Sequence, residues 1–296
     1  MKNDLGGPLK KTIAATLAVA SIATSIASDK IIYGEDNRLD IYDVREAALL
    51  EVAASTAAMI PTWKVGYFQR ADVSSGILSM LSLKGSMNVC VDERFAQQPA
   101  IANCSGFLVD EKTIVTAGHC INEIAGCSEN YWVFDYNLSS PLNDRISLKP
   151  ENVYRCARVV RSVLDEMTRN DYAVVELDRP VTGRRPLNFR KTGKIQLEAP
   201  LVVIGHPSGL PTKVAGGARV MEYNNDIFFR TNLDTYGGNS GSAVFNAETL
   251  EVEGILVRGA RDYVETSSGC LRSNVVSVDR ATEAVTAITN VLEIQN

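Results

Sequence analysis

Between roughly residues 64 and 278 the chain is written in short apolar runs, β-branched or aromatic, each broken after a few positions by Gly, Pro, Asn or Asp. The runs fall at 107–109, 113–116, 131–134, 173–177, 201–204, 227–231, 243–245 and 252–257. Spacing this close predicts an all-β chain of antiparallel strands in barrels or sandwiches. No helix-length segment alternates with the runs, as a parallel α/β sheet would require. Two stretches carry a different period. Residues 43–60 open with Asp43 and Glu46 at capping-box spacing, continue through Ala47, Leu49, Leu50, Val52 and Ala53, and stop at Pro61, which predicts a helix. Residues 279–294 set Ala281, Ala284, Val285, Ile288, Val291 and Leu292 on one helical face behind Asp279, which predicts a C-terminal helix.

The first residues read as an address. Lys2, Lys10 and Lys11 precede a weakly apolar run, 12–27, that closes on the small residues Ser25, Ala27 and Ser28. This is the pattern of a secretory signal peptide covering residues 1–27. The run is shorter than the roughly 20 strongly apolar residues of a membrane span, so no stable membrane anchor is expected. The mature chain is placed as secreted or periplasmic, and residues 28–83 form an amino-terminal extension before the strand-rich region.

Composition narrows the chemistry. The chain has 296 residues, 45% apolar and 22% charged, enough to bury a sizeable core. Thirty basic residues against 35 acidic ones give a net charge of −5, without the cationic footprint of a protein that grips nucleic acid. Only two histidines are present, and the six cysteines show no C-x-x-C spacing, so neither a metal nor another cofactor is expected. An even cysteine set in an exported chain permits three disulfides, with 15 connectivities open.

Three segments carry candidate chemistry. Cys104-Ser105-Gly106-Phe107 leads into a hairpin whose second strand ends in Thr116-Ala117-Gly118-His119-Cys120. Asn170-Asp171-Tyr172 sets an acid at the start of an apolar strand, and Gly237-Gly238-Asn239-Ser240-Gly241-Ser242 sets a serine in a glycine-bracketed turn. A serine hydroxyl is a poor nucleophile at neutral pH and needs a base within hydrogen-bond reach. An imidazole, ordinarily titrating near ~6.5, suits that task, and a buried carboxylate would fix its tautomer. His206, in Gly205-His206-Pro207, lacks this setting and reads as a loop residue. The order His, acid, Ser and the absence of a G-x-S-x-G elbow argue against an α/β-hydrolase esterase.

Together these segments resemble the trypsin/chymotrypsin-like serine peptidases, and more closely the bacterial branch that includes the glutamyl endopeptidases, over roughly residues 84–296. The resemblance implies two six-stranded antiparallel β-barrels, about 84–180 and 181–278, followed by the C-terminal helix at 279–294. It implies His119, Asp171 and Ser240 as a catalytic triad hydrolysing peptide bonds in protein or peptide substrates, and the Gly238 and Ser240 N–H groups as the oxyanion hole. It also implies a Cys104–Cys120 disulfide; nearness in sequence offers Cys90–Cys104 with Cys120–Cys127 as the alternative. A catalytically silent homologue acting as a binding protein is the competing class.

Specificity and activation follow less directly. Asp234, six residues before Ser240 and followed by Thr235, stands where the trypsin-like branch has its pocket floor, an acid that would favour Arg or Lys before the cut; the other reading is a solvated loop acid. The strand 254–259 lacks the histidine with which glutamyl endopeptidases bind a substrate carboxylate, and Arg258 could supply positive charge instead. Ile31-Ile32-Tyr33-Gly34 looks like the mature amino terminus of that branch, so an activating peptidase is expected to cut after Lys30. Asn239 replaces the acid that receives the new amino group in trypsins, so that salt-bridge switch is not expected.

Overall fold

One stave of the first barrel comes from a stretch whose pattern predicts helix. In the computed structural model, which describes residues 1, 32–70, 80–121, 127–142, 146–223, 225–280 and 282–295, helix α1 covers only Ala47–Ala53. The chain then turns into a strand, Thr56–Pro61. Both faces of that strand are buried: Ala57 and Met59 pack with Trp132, Phe134 and Tyr154, while Ala58 and Ile60 pack with Val133, Tyr136 and Leu138. A short apolar run buried on both sides does not alternate, so its periodicity cannot separate strand from helix. Backbone pairing with two neighbouring strands decides the matter.

In chain order the strands are β1 (Ile32–Tyr33), β2 (Leu39–Asp40), β3 (Thr56–Pro61), β4 (Cys104–Asp110), β5 (Thr113–Thr116), β6 (Asn130–Phe134), β7 (Val153–Leu164), β8 (Asp171–Leu177) and β9 (Pro200–Gly205). They continue as β10 (Lys213–Tyr223), β11 (Phe228–Thr231), β12 (Ala243–Asn246), β13 (Val252–Arg258), β14 (Tyr263–Glu265), β15 (Leu271–Ser273), β16 (Val275–Val276) and β17 (Glu283–Ala287). The first barrel closes in the order β3-β4-β5-β8-β7-β6. The second runs β11-β17-β13-β12-β9-β10 and closes through pairing of β10 with β11. Every pairing inside the two barrels is antiparallel, so the expected pair of six-stranded barrels is the architecture observed.

Two expectations are corrected. The C-terminal helix at 279–294 is instead strand β17 followed by 3₁₀ turns at Ile288–Asn290 and Leu292–Ile294. Residues 283–287 bridge β13 to β11, and without that bridge the second barrel would be open. Ile288 and Val291, read as one helical face, still share the buried cluster between the barrels. The extension drawn to residue 83 is not separate from the barrels either: β3 belongs to the first, β2 pairs with β10, and β1 pairs in parallel with β16.

The barrels meet along one apolar seam. Phe107, Val115, Ala117, Tyr172 and Val174 from the first pack with Val202, Ile204, Ala243, Phe245, Ile255 and Val257 from the second. Three disulfides pin the periphery: Cys104–Cys120 ties the start of β4 to the turn after β5, Cys127–Cys156 holds β7, and Cys90–Cys270 fastens the segment before β4 to the loop preceding β15. The Cys104–Cys120 pairing is the one the resemblance implied; the alternative pairing is not formed. Among the described residues no helix is long and apolar enough to cross a membrane.

Because β3 hydrogen-bonds to both β4 and β6, a chain starting at residue 84 lacks a stave of the first barrel. Such a chain is expected to show no cooperative thermal unfolding, whereas one starting at Ser28 melts as a single transition; circular dichroism distinguishes them.

Candidate active site

β5 delivers His119 to the barrel seam, and the turn after it has little freedom. Gly118 opens a one-turn 3₁₀ helix pressed on β7: a Cβ there would stand 1.9 Å from the Val163 carbonyl oxygen, so only glycine fits. The Cys120 N–H donates to the Ala117 oxygen at 3.2 Å, and the disulfide to Cys104 fixes the other side of the imidazole.

Asp171, the first residue of β8, is 1% exposed and faces His119 twice. Its Oδ1 accepts the His119 backbone N–H at 3.1 Å and its Oδ2 lies 2.8 Å from Nδ1. A carboxylate can only accept, so Nδ1 carries the proton and Nε2 is left as the acceptor. Such an imidazole can take a proton from a hydroxyl brought to its far side.

Ser240 lies on the opposite wall, held by its main chain. The Ser105 N–H donates to the Ser240 carbonyl at 2.8 Å across the seam, Gly241 N–H donates to Leu256 O at 2.8 Å, and Cys120 Sγ stands 3.7 Å from the Ser240 oxygen. The nucleophile candidate is thus pinned beside the disulfide that carries the imidazole. Ser105 also donates its hydroxyl to Gly238 O at 2.8 Å while accepting the His206 N–H at 3.0 Å and offering its carbonyl to Thr116 Oγ1 at 2.7 Å. Gly238 has φ +90°, and a Cβ there would meet the His206 oxygen at 2.6 Å. At that φ and that close approach only glycine fits two residues before Ser240.

His206 sits just after β9, fully buried, with its Nδ1 on the Leu210 carbonyl at 3.1 Å. Burial pushes its titration down to about 3, so it stays neutral and supports the loop under Gly238. The sulfurs of Cys104 and Cys120 lie within 4.8 Å of a His119 nitrogen, but both are spent in the disulfide and offer no thiolate to a metal.

The three specificity candidates find other partners. Asp234 is 2% exposed and points toward the amino-terminal segment: Oδ1 accepts Tyr33 N–H at 2.7 Å and Oδ2 accepts Asn37 N–H at 3.2 Å. It is therefore not a solvated loop acid, and both of its oxygens are occupied by the amino-terminal segment. Burial, opposed by those two donors, raises its pKa to about 6. Arg258 is engaged within the protein too, with Nη1 3.4 Å from Asp171 Oδ2 and Nη2 on the Arg169 carbonyl at 2.7 Å. Burial lowers its pKa, against the attraction of Asp171. Thr235 is wholly buried and donates its hydroxyl to Glu283 Oε2 at 2.5 Å. Sequence reasoning missed Ser105 and Glu283; the latter lay inside the stretch with helical spacing, which hid its strand position. The signal at 1–27 and the cut after Lys30 fall outside the described residues.

The family described as trypsin-like peptidase domain matches residues 104–255. Among solved structures, a Glu endopeptidase in complex with MPD aligns with a TM-score of 0.50 at 17% identity, over 89% of this chain and 97% of that one. The VesB protease of Vibrio cholerae aligns with a TM-score of 0.50 at 12% identity, over 88% of this chain and 65% of that one, so this chain spans just under two thirds of its length. At such identities the likeness is one of fold. No curated protein matches the chain.

The Asp234 carboxyl binds its proton more tightly when folded than when unfolded, so stability falls as pH rises from its ordinary titration near 3.8 to about 6 and is level above that. Asp234→Asn removes this slope. The wild type is expected to lose on the order of 3 kcal/mol relative to the variant across that window. Urea unfolding at a series of pH values checks it, and parallel stability curves for the two proteins would exclude it.

Proposed function

The chain belongs to the trypsin-like peptidase family, and from that premise we propose that it is an exported serine endopeptidase working through Ser240, His119 and Asp171. The observation that carries the reading is the pair of hydrogen bonds that the backbone and ring of His119 donate to Asp171, at the seam where Ser240 is held.

In this mechanism the Ser240 hydroxyl attacks the peptide carbonyl as His119 Nε2 takes its proton. The imidazolium that forms is held by Asp171 through Nδ1. Charge on the former carbonyl oxygen is met by the N–H groups of Gly238 and Ser240, each of which is worth ~10²–10³ in rate in comparable sites. His119 then protonates the leaving amine, and an acyl group stays on Ser240. Water, deprotonated by the same nitrogen, hydrolyses that ester and restores the hydroxyl.

Arg258 adds a feature of this chain. Its guanidinium shares Asp171 Oδ2 with the imidazole and is tied to the backbone just before β8, so it fixes the carboxylate's orientation. Export is supported by the pairing of all six cysteines in disulfides, a state typical of oxidising compartments. Removal of residues 1–27 and a cut after Lys30 by another peptidase belong to the same proposal.

A fluorophosphonate probe is expected to label the wild type on Ser240, and Ser240→Ala to lose both labelling and at least ~10⁴-fold in peptide hydrolysis. An unlabelled wild type that cleaves nothing would point to the silent binding homologue. Arg258→Ala is expected to lower kcat several-fold with KM little changed, because the Asp171 carboxylate loses the group that orients it. An unchanged kcat would mean the guanidinium has no positioning part in catalysis.

A further inference from the structure

One side chain of the first barrel reaches across the seam and holds the loop that carries Ser240. Ser105, the second residue of β4, has no solvent exposure. Its main chain is locked into the first barrel: it pairs with Ala58 on β3, and its carbonyl accepts the Thr116 hydroxyl at 2.7 Å. Across the seam its N–H donates to Ser240 O at 2.8 Å and its hydroxyl to Gly238 O at 2.8 Å. The direction of the second bond is settled by its neighbour. The His206 N–H, 3.0 Å from the same oxygen, can only donate, so the single hydroxyl proton of Ser105 goes to the Gly238 carbonyl. Gly241 completes the contact, since a Cβ there would stand 2.1 Å from the Ser105 carbonyl oxygen.

Between Gly237 and Ser240 three peptide planes follow one another, all of them trans. The first, Gly237–Gly238, has its carbonyl on the Ser208 N–H at 2.5 Å, and the third, Asn239–Ser240, has its carbonyl on the Ser242 N–H at 2.9 Å. A trans peptide carries its N–H on the edge opposite its C=O, so these two bonds turn the Gly238 N–H away from Ser208 and the Ser240 N–H away from Ser242. The plane between them sets the angle between those two donors. Its N–H, that of Asn239, donates to Tyr236 O at 2.9 Å, and its carbonyl, that of Gly238, is the one Ser105 holds. This middle plane hinges on Gly238, at φ +90°, a residue type with several other conformations open to it. The loop therefore needs an outside hold at that carbonyl.

We propose that Ser105 is a positioning residue for the oxyanion site: its hydroxyl pins the Gly238–Asn239 peptide so that the Gly238 and Ser240 N–H groups are aimed together at the substrate carbonyl oxygen. The inference rests on Ser240 being the nucleophile. Ser105 acts through the loop rather than on the substrate. Donors fixed before charge develops need no reorganisation during the reaction, which is the source of their effect on rate. Without the hydroxyl, the Gly238 carbonyl loses a donor and the buried His206 N–H loses its acceptor, and the glycine is free to turn the middle plane. The neighbouring Cys104 is bonded to Cys120, the residue after His119, so one short stretch of β4 keeps the base and the oxyanion donors in register.

The test uses the full chain, a chromogenic peptide that the wild type cleaves, and the matching peptide trifluoromethyl ketone, whose adduct with the serine places an anionic oxygen in the oxyanion site. Sites are counted by fluorophosphonate titration carried to completion, so unfolded material does not enter kcat. Ser105→Ala is expected to lower kcat by ~10–10²-fold with KM within about threefold of wild type, and to weaken the ketone by the same factor as kcat/KM. Ser105→Thr keeps the hydroxyl and should stay within several-fold of wild type in both. Ser105→Gly leaves room for a water to bridge the His206 N–H and the Gly238 carbonyl. It should show a smaller loss, again in kcat, and it carries the test if the alanine protein does not fold. An unchanged kcat in the variants without the hydroxyl, a loss confined to KM, or a threonine variant as slow as the alanine one would overturn the role of Ser105. A wild type that neither labels with fluorophosphonate nor cleaves peptide would instead overturn the peptidase reading, and this inference with it.

Discussion

A carboxylate removed from water and committed to one histidine is the constraint around which this molecule is arranged. Asp171 is 1% exposed, and its two oxygens take the ring and the backbone of His119, with the Arg258 guanidinium as a third neighbour. A buried anion is costly unless it is met by donors, so the elements that supply them cannot drift independently. β5, β8 and β13 therefore have to arrive at the same seam, and they come from both barrels. The apolar interface between Phe107, Val115 and Tyr172 on one side and Ile204, Ala243 and Val257 on the other sets their separation.

The serine loop depends on a second set of supports, several of them from the amino-terminal segment. Arg38 lies over the Tyr236 ring at 4.3 Å and pairs with Asp36, while Tyr33 and Asn37 occupy Asp234. Lys213 on β10 bonds Asp40 Oδ1 at 2.5 Å and Gln98 Oε1 at 2.8 Å in an almost dry setting; burial lowers its titration to about 8 despite the attraction of Asp40. These buried charges sit where 32–40 runs along the second barrel. They stabilise by pairing, and breaking any one of them would leave its partner uncompensated. The segment drawn as an extension is thus part of the second barrel's packing, paired with β10 and bonded to the loop before Ser240.

Legibility in the sequence followed the range of the interaction. The strands of 107–116, 173–177, 201–204 and 243–257 were readable because their apolar runs and their turn residues are local. The three segments bearing His119, Asp171 and Ser240 were readable for the same reason, each being a short motif whose glycines answer to close backbone contacts, as at Gly118 and Gly238. The stretches 56–61 and 283–287 were misread as helix because the strands that pair with them lie 26 to 77 residues away, on both flanks of each in a closed barrel.

By itself the sequence determined which chemistry was on offer: an imidazole, a carboxylate and a hydroxyl in motif settings, an all-β framework, and cysteines in a set that can pair. Only the tertiary structure decided how the remaining charges were spent. Asp234, Arg258 and Glu283 are alike in composition to any surface acid or base, and neither spacing nor period says what an extended charged side chain will meet. That depends on barrel closure, which turns Asp234 to the backbone of Tyr33, Arg258 to Asp171, and Glu283 to Thr235 beside the serine.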